Sequence, residues 1–275
     1  MLLRRKIANH LFTCFNVLSL CIGLGLMTAI LLTLIGKGWS GFSFPIFSAS
    51  TPAPELIGGL KNAIVGSLLI TLIGMLISAP IGILAAVYLV DAGRGKKLST
   101  LIRFFNDILL SAPSIVIGLF IYVLVVQTTG HFSGWAGALA LAFIALPIIV
   151  RASEDVLLLA SDPLREAATA LGAPRWKVAW LIGFHAARSG IITALLLAMA
   201  RIFGETAPLL FTALSNQFFT QDLSQPMANL PVVIFQFAMS PYENWQDLAW
   251  AGALLLTLSI LFISIVARCL GKKSN

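Results

Sequence analysis

The sequence predicts an all-α membrane protein, a bundle of six transmembrane helices. Three observations carry this expectation. Of the 275 residues, 59% are hydrophobic and only 11% charged, against about 25% charged in a soluble domain, and the mean hydropathy is +0.96. Several charge-free stretches reach the roughly 20 apolar residues that a spanning helix needs. The basic residues cluster at the ends of these stretches, the mark of membrane orientation. The net charge of +7 is therefore no footprint of nucleic-acid binding. Residues 1–275 read as a single membrane domain.

The first span covers about residues 15–35, after Arg4, Arg5 and Lys6. Its apolar run is too long for a signal peptide and lacks a small-residue cleavage site, so it reads as an uncleaved span. The second covers about residues 64–90, with Pro80 inside it. The third covers about residues 108–126 and the fourth about 135–150. The fifth, about residues 190–203, and the sixth, about 249–267, complete the set. The fourth and fifth are short, as expected of helices buried by neighbours or lining a path. Cys14, Cys21 and Cys269 have neither CxxC spacing nor nearby histidines, so they read as small packing residues.

Orientation follows from the cationic residues. Fifteen of the 18 Lys and Arg residues fall on one side: Arg4, Arg5, Lys6, Arg94, Lys96, Lys97, Arg103, Arg151, Arg165, Arg175, Lys177, Arg188, Arg268, Lys272 and Lys273. Lys37 and Lys61 fall on the other, and Arg201 lies within a span. The asymmetry predicts that both termini are cytoplasmic. Two pieces then lie outside the lipid: a cytoplasmic segment over residues 151–189 and an outer one over 204–248. The outer piece has no Lys or Arg and is rich in Asn, Gln, Pro and aromatics. It reads either as a docking surface for a partner or as a re-entrant loop.

The cytoplasmic segment contains a compact signal. Asp162 suits a helix cap, Pro163 the first turn, and Glu166 completes a capping-box spacing. The helix should run through Ala167, Ala168 and Leu171 and stop at Gly172. Pro174 forbids continuation, and an amphipathic stretch restarts near Arg175 and Trp176. Helix, glycine turn and helix make a rigid knob.

Arg201 and Glu205 interrupt the apolar run 191–214. Counted from Ser189 at 1.5 Å per residue, Arg201 lies roughly 18 Å into the membrane. A charge at that depth costs about 2.5–3.5 kcal/mol on insertion scales, so such residues face protein or water. The i, i+4 spacing lets the two pair. From the residues alone, a structural brace and an anion contact through the arginine fork are equally open. Arg151, after Leu146-Pro147-Ile148-Ile149-Val150, reads as an anion contact near the inner mouth or as a snorkelling anchor. Arg103 and Asp107 have the spacing of a structural ion pair. His10, His131 and His185 are scattered and suggest no metal site.

Glu166-Ala167-Ala168, Gly172 and Ile182 resemble the EAA loop of ABC importer permeases. The Leu-Pro that usually follows is replaced by Phe184-His185. The resemblance implies a type I, MetI-like permease whose knob (Asp162, Arg165, Glu166, Ala167, Ala168, Gly172, Arg175 and Lys177) docks on a separate ATPase. No G-x-x-x-x-G-K-[ST] occurs here; Gly93-Arg94-Gly95-Lys96-Lys97 has the composition without the spacing. ATP and Mg are accordingly expected on the partner, with no cofactor in this chain. The run Ala200-Arg201-Ile202-Phe203-Gly204-Glu205-Thr206-Ala207-Pro208-Leu209-Leu210-Phe211-Thr212 resembles PstA-type phosphate permeases, as do residues 103–115, 132–137 and 228–231. That resemblance implies a bacterial inner-membrane phosphate importer with a sister permease (PstC), two ATPase copies (PstB) and a periplasmic phosphate-binding protein (PstS). It also implies that Arg201, Glu205 and Arg151 line the substrate pathway. The rival classes are a permease for sulfate or molybdate and a secondary transporter. An intramembrane enzyme is disfavoured, since no HExxH, GxSxG or clustered His/Asp set occurs.

Overall fold

The computed structural model describes residues 2–93, 95–159 and 162–272, and every regular element among them is helical. Arg94, Lys273 and Asn275 lie outside the described residues, as do the side chains of Asp162, Arg165, Arg175 and Ile182.

The chain opens with α1 (Leu2–Ser40), apolar all round and uncovered along its hydrophobic stretch. It meets the bundle at its last turns, where small residues allow backbones to close. A Cβ on Gly38 would stand 2.7 Å from Leu254 Cβ, and one on Gly41 would stand 2.9 Å from the Asp247 carbonyl oxygen. The short α2 (Pro45–Ser48) buries Ile46 and leads to α3 (Lys61–Val90). Gly66, Gly74, Ser78, Gly82 and Ala86 are all buried on α3. Small residues at these intervals let helices approach closely in lipid, where packing replaces the hydrophobic effect. A Cβ on Gly82 would lie 2.7 Å from Ile149 Cγ2 of α7 (Gly134–Leu158).

The third expected span departs from the sequence reading. α4 (Lys97–Ser111) and α5 (Ser114–Ile121) meet at 105°, so residues 108–126 are not one straight helix. Pro113 has no N–H to continue the ladder and drives Ala112 into an extended conformation, with ψ of 134°. α4 is strongly amphipathic. It turns Arg103 and Asn106 toward α7 and leaves Leu98, Leu101, Phe105 and Ile108 exposed. α5 continues through a π-helical turn (Tyr122–Val126) into α6 (Gln127–Thr129), which ends at left-handed Gly130.

Ser133 caps α7, its Oγ accepting from Ala136 N at 3.2 Å. α7 is longer than the expected residues 135–150. It carries Arg151, Glu154 and Asp155 on its final turns before the knob, α8 (Asp162–Ala170) and α9 (Arg175–Lys177). A π-helical stretch (Val178–Phe184) then feeds α10 (His185–Phe203). The outer segment holds α11 (Ala207–Leu210) and α12 (Leu230–Ala238), and α13 (Glu243–Lys272) closes the bundle. Four helices, α1, α3, α7 and α13, are individually long and apolar enough to cross a membrane, and the bent pair adds a fifth crossing if it counts as one.

The outer segment is folded back into the bundle. Leu230, Val232, Val233 and Phe237 are buried. Leu230 N donates to Ser67 Oγ at 2.7 Å, Gly134 N to the Gln225 carbonyl at 3.1 Å, and Trp135 N to the Leu223 carbonyl at 3.1 Å. The buried Asn62 donates from Nδ2 to Thr51 Oγ1 at 2.9 Å and to the Asn216 carbonyl at 2.8 Å. The tip, with Phe218 and Phe219, stays exposed. The core joins α3, α5, α7, α10, α11 and α12 through Ile70, Ile117, Leu141, Ile149, Ile202, Leu209 and Val232. Cys14, Cys21 and Cys269 are free and exposed, on α1 and α13, rather than packed in the core as expected.

Candidate functional site

α10 stops at Gly204, a residue with weak helix preference, and Pro208 then starts the short α11. The chain therefore turns immediately after Arg201. The turn does not separate the expected pair: Arg201 Nη1 donates to Glu205 Oε1. The two ends of this pair see different surroundings. The Glu205 side chain is 6% exposed and the Arg201 side chain 59%. Glu205 is thus a carboxylate held inside the bundle, and Arg201 reaches from it to the chain's surface. Among the described residues, Arg201 Nε and Nη2 have no partner. A guanidinium has five N–H donors in a rigid fork, so this one keeps the geometry for an oxyanion while its charge is half-balanced from behind.

Arg151 lies on α7. Its Nε stands 3.7 Å from Asp155 Oδ2, with both side chains more than half exposed. A pair that long and that wet contributes little and leaves the fork accessible. Gly190 packs against Val156, which sets the register of α7 against the antiparallel α10. In that register the levels of Arg151 and Arg201 differ by about six residues, or roughly 9 Å along the bundle. The structure does not bring the two arginines into contact.

Arg103 does not pair with Asp107 as the spacing predicted. Its Nε and Nη2 bond Glu154 Oε1 at 2.9 and 2.7 Å. Asp107 is exposed and Glu154 is buried. Asp107 offers only water as an alternative environment, whereas an unpaired buried Glu154 would be costly, so the long-range partner wins. Sequence reasoning had no signal for this contact beyond the acidic Glu154-Asp155 step on an otherwise apolar helix.

The knob has the expected geometry. Gly172 is left-handed at φ 80°. Ala173 N donates to the Ala168 carbonyl at 3.1 Å and Gly172 N to the Thr169 carbonyl at 3.0 Å, the bonding that closes a helix on a glycine. Glu166, Ala167 and Lys177 are exposed, and Ala168 is half-buried. Two neighbours that the sequence reading placed in the knob's helices, without a site role, stand out. Leu171 is 90% exposed and Trp176 63% exposed, one on each side of the glycine turn. Lys177 Nζ lies 5.6 Å from the Trp176 ring. Trp is a residue type that anchors interfaces, and here one stands bare on a rigid turn with an exposed Leu beside it.

Residues 78–274 match the family described as the binding-protein-dependent transport system inner membrane component. The chain belongs to this family. It is 54% identical over 264 residues to the phosphate transport system permease protein PstA of Haemophilus influenzae, covering 96% of this chain and 94% of that one. It is 35% identical to the phosphate transport system permease protein PstA 1 of Mycobacterium tuberculosis, covering 96% and 89%. Among solved structures, a chain from inward-facing conformations of the MetNI methionine ABC transporter superposes with a TM-score of 0.66 at 19% identity. That match covers 78% of this chain and 94% of that one, and it establishes the MetI-like permease fold. The chain is thus a multi-pass permease subunit of an ABC transporter. Arg151, the knob, Arg201 and Glu205 all fall within the region the family describes.

Proposed function

We propose that the chain is the PstA permease of an ATP-driven phosphate importer and moves inorganic phosphate into the cytoplasm by alternating access. The observation that carries the reading is the exposed Arg201 fork backed by buried Glu205. A cation at membrane depth must face protein or water, and a guanidinium matches phosphate oxygens in bidentate geometry. The relatives named as phosphate transport permeases support the choice of substrate over sulfate or molybdate. The 15-to-2 bias of flanking basic residues supports six spans, with α10 as the remaining one and both termini cytoplasmic in a bacterial inner membrane.

In this mechanism the periplasmic binding protein PstS delivers phosphate to the outer segment. The anion enters between this chain and its sister, PstC, and meets Arg201. Glu205 weakens that hold, because binding must stay loose enough for release. Arg151, about two helical turns away, receives the anion on the inner side. Two PstB ATPases bind ATP and Mg, and each closure pushes a permease knob; here that knob is Asp162 to Lys177, with Leu171 and Trp176 as its apolar anchors. The bundle then rocks and access switches. The test is uptake into liposomes holding the purified complex with PstS outside and ATP inside. ATP-dependent uptake of radiolabelled phosphate, undiminished by a hundredfold excess of sulfate or molybdate, is the expected result. Uptake of either competitor at the same rate, or uptake without ATP, would overturn it.

A further inference from the structure

The proposed mechanism leaves a mechanical gap. The knob follows α7, whereas the Arg201–Glu205 pair sits at the far end of α10. Glu154 lies one turn from the end of α7, buried and acidic, with its charge met by Arg103 from α4 through two bonds at 2.7 and 2.9 Å. Two turns back, Asn106 Nδ2 donates to the Pro147 carbonyl at 3.3 Å. α4 is therefore fastened to α7 at two points that bracket Arg151. Pro147 also removes a ladder bond from α7, so the helix has a natural bending point between its apolar half and this fastened end.

At its other end α4 turns through 105° into α5. α5 presses on α11: a Cβ on Gly118 would lie 2.5 Å from Pro208 Cα, and Ile117 shares a core with Leu209. α11 begins at Ala207, two residues after Glu205. From the end of α7, which precedes the knob in sequence, the contacts form one continuous chain: Glu154, Arg103, α4, the Pro113 elbow, α5, Pro208, Glu205. Stability alone does not account for the ion pair at its start. A pair whose carboxylate is buried but whose guanidinium is 41% exposed adds little beyond what well-packed apolar residues would, yet it holds one relative position of two elements with directional bonds.

We infer that Arg103 and Glu154 are positioning residues, a latch that makes the α4–α5 elbow follow the knob and so moves the carboxylate behind Arg201. The inference rests on the reading of the chain as an ATP-driven permease. The test uses the purified complex in liposomes, with phosphate uptake and ATP hydrolysis measured together and normalised to assembled complex. Glu154→Gln and Arg103→Gln are expected to lower uptake at least tenfold while hydrolysis persists, raising ATP used per phosphate at least fivefold. The charge-reversed double variant Arg103→Glu/Glu154→Arg should return that ratio to within twofold of wild type. If the reversed variant does not accumulate, Arg103→Lys decides, since it keeps the charge and should keep the ratio within threefold. Uptake and hydrolysis falling in proportion in the single variants, or an unchanged ratio, would make the pair a brace only and overturn the latch. Wild-type complex without ATP-driven uptake would overturn the transport reading itself, a result separable from any effect of the variants.

Discussion

Removing the charges of Arg201 and Glu205 together separates a brace from a substrate contact. Neutralising Arg201 alone is uninformative. Arg201→Gln leaves the Glu205 carboxylate, 6% exposed, without its partner, at a cost of about 3–5 kcal/mol for a broken buried pair. That is a large share of a domain's total stability, and poor assembly would follow under both readings. Arg201→Gln/Glu205→Gln removes both charges and keeps side chains of similar size that can still hydrogen-bond each other, so assembly should recover. Transport should not. Charge-assisted hydrogen bonds contribute about 1.5–3 kcal/mol, which at 1.4 kcal/mol per decade is a loss of roughly 10- to 100-fold in uptake. The assay is radiolabelled phosphate uptake normalised to folded complex in the membrane. Arg201→Lys sharpens it: the charge remains but the planar fork is lost, so uptake should fall between wild type and the double variant. A double variant with near-normal uptake would reduce Arg201 to a brace and remove the observation on which the pathway rests.

Three further outcomes are expected. A reporter enzyme fused after Asn275 should be active only if it works in the cytoplasm; activity confined to a periplasmic reporter would reverse the topology. Gly172→Val forces a β-branched residue into a φ of 80°, and Glu166→Lys reverses a charge on the knob, so both should insert normally yet lose phosphate-dependent ATP hydrolysis at least tenfold in the reconstituted complex. Gly118→Val puts new atoms against Pro208, so an overpacking cost of about 1–3 kcal/mol should appear as a lower unfolding temperature of the solubilised complex, which an unchanged melting curve would refute.

The parts of this fold that were legible in the sequence are those set by local pattern. Uniform apolar runs marked α1, α3, α7 and α13, because lipid demands them wherever a helix crosses. The knob was legible because a glycine turn and the residues before it interact within a few positions. The Arg201–Glu205 pair was legible because the i, i+4 interval brings the two together before any tertiary contact forms. What failed was everything that depends on direction or distance. The apolar run through residues 108–126 has the composition of one span, and composition does not record that Pro113 turns it by 105°. Arg103 had a polar neighbour at the right helical interval, yet a buried Glu154 from another helix outcompeted it. The outer segment stayed open between a docking surface and a re-entrant loop, because its Asn, Gln and Pro residues are polar or helix-breaking and do not record whether they are buried. Asn229 is buried, its Oδ1 accepting from Val232 N to cap α12.

The same backbone accounting locates the open side of the site without reference to any relative. A helix that stops at membrane depth frees N–H and C=O groups, and these are tolerated only where protein or a watery cavity satisfies them. After Gly204 the chain is irregular for most of the stretch to Asn229, and its groups are met from within. Thr212 offers its carbonyl to Ser133 N and Ala213 its carbonyl to Met227 N, while Thr212 Oγ1 donates to the Pro208 carbonyl. Glu205 is buried on this closed side together with Pro208 and Leu209. Arg201, the other half of the same ion pair, emerges on the side where the chain supplies nothing to cover it. A membrane cannot leave that guanidinium against hydrocarbon, so water, a sister subunit or an anion must meet it there. A route along this face would satisfy that demand and pass the level of Arg151 roughly 9 Å further on, and it is on this ground that the proposed function assigns the two arginines, unlinked in sequence and out of contact, to one path.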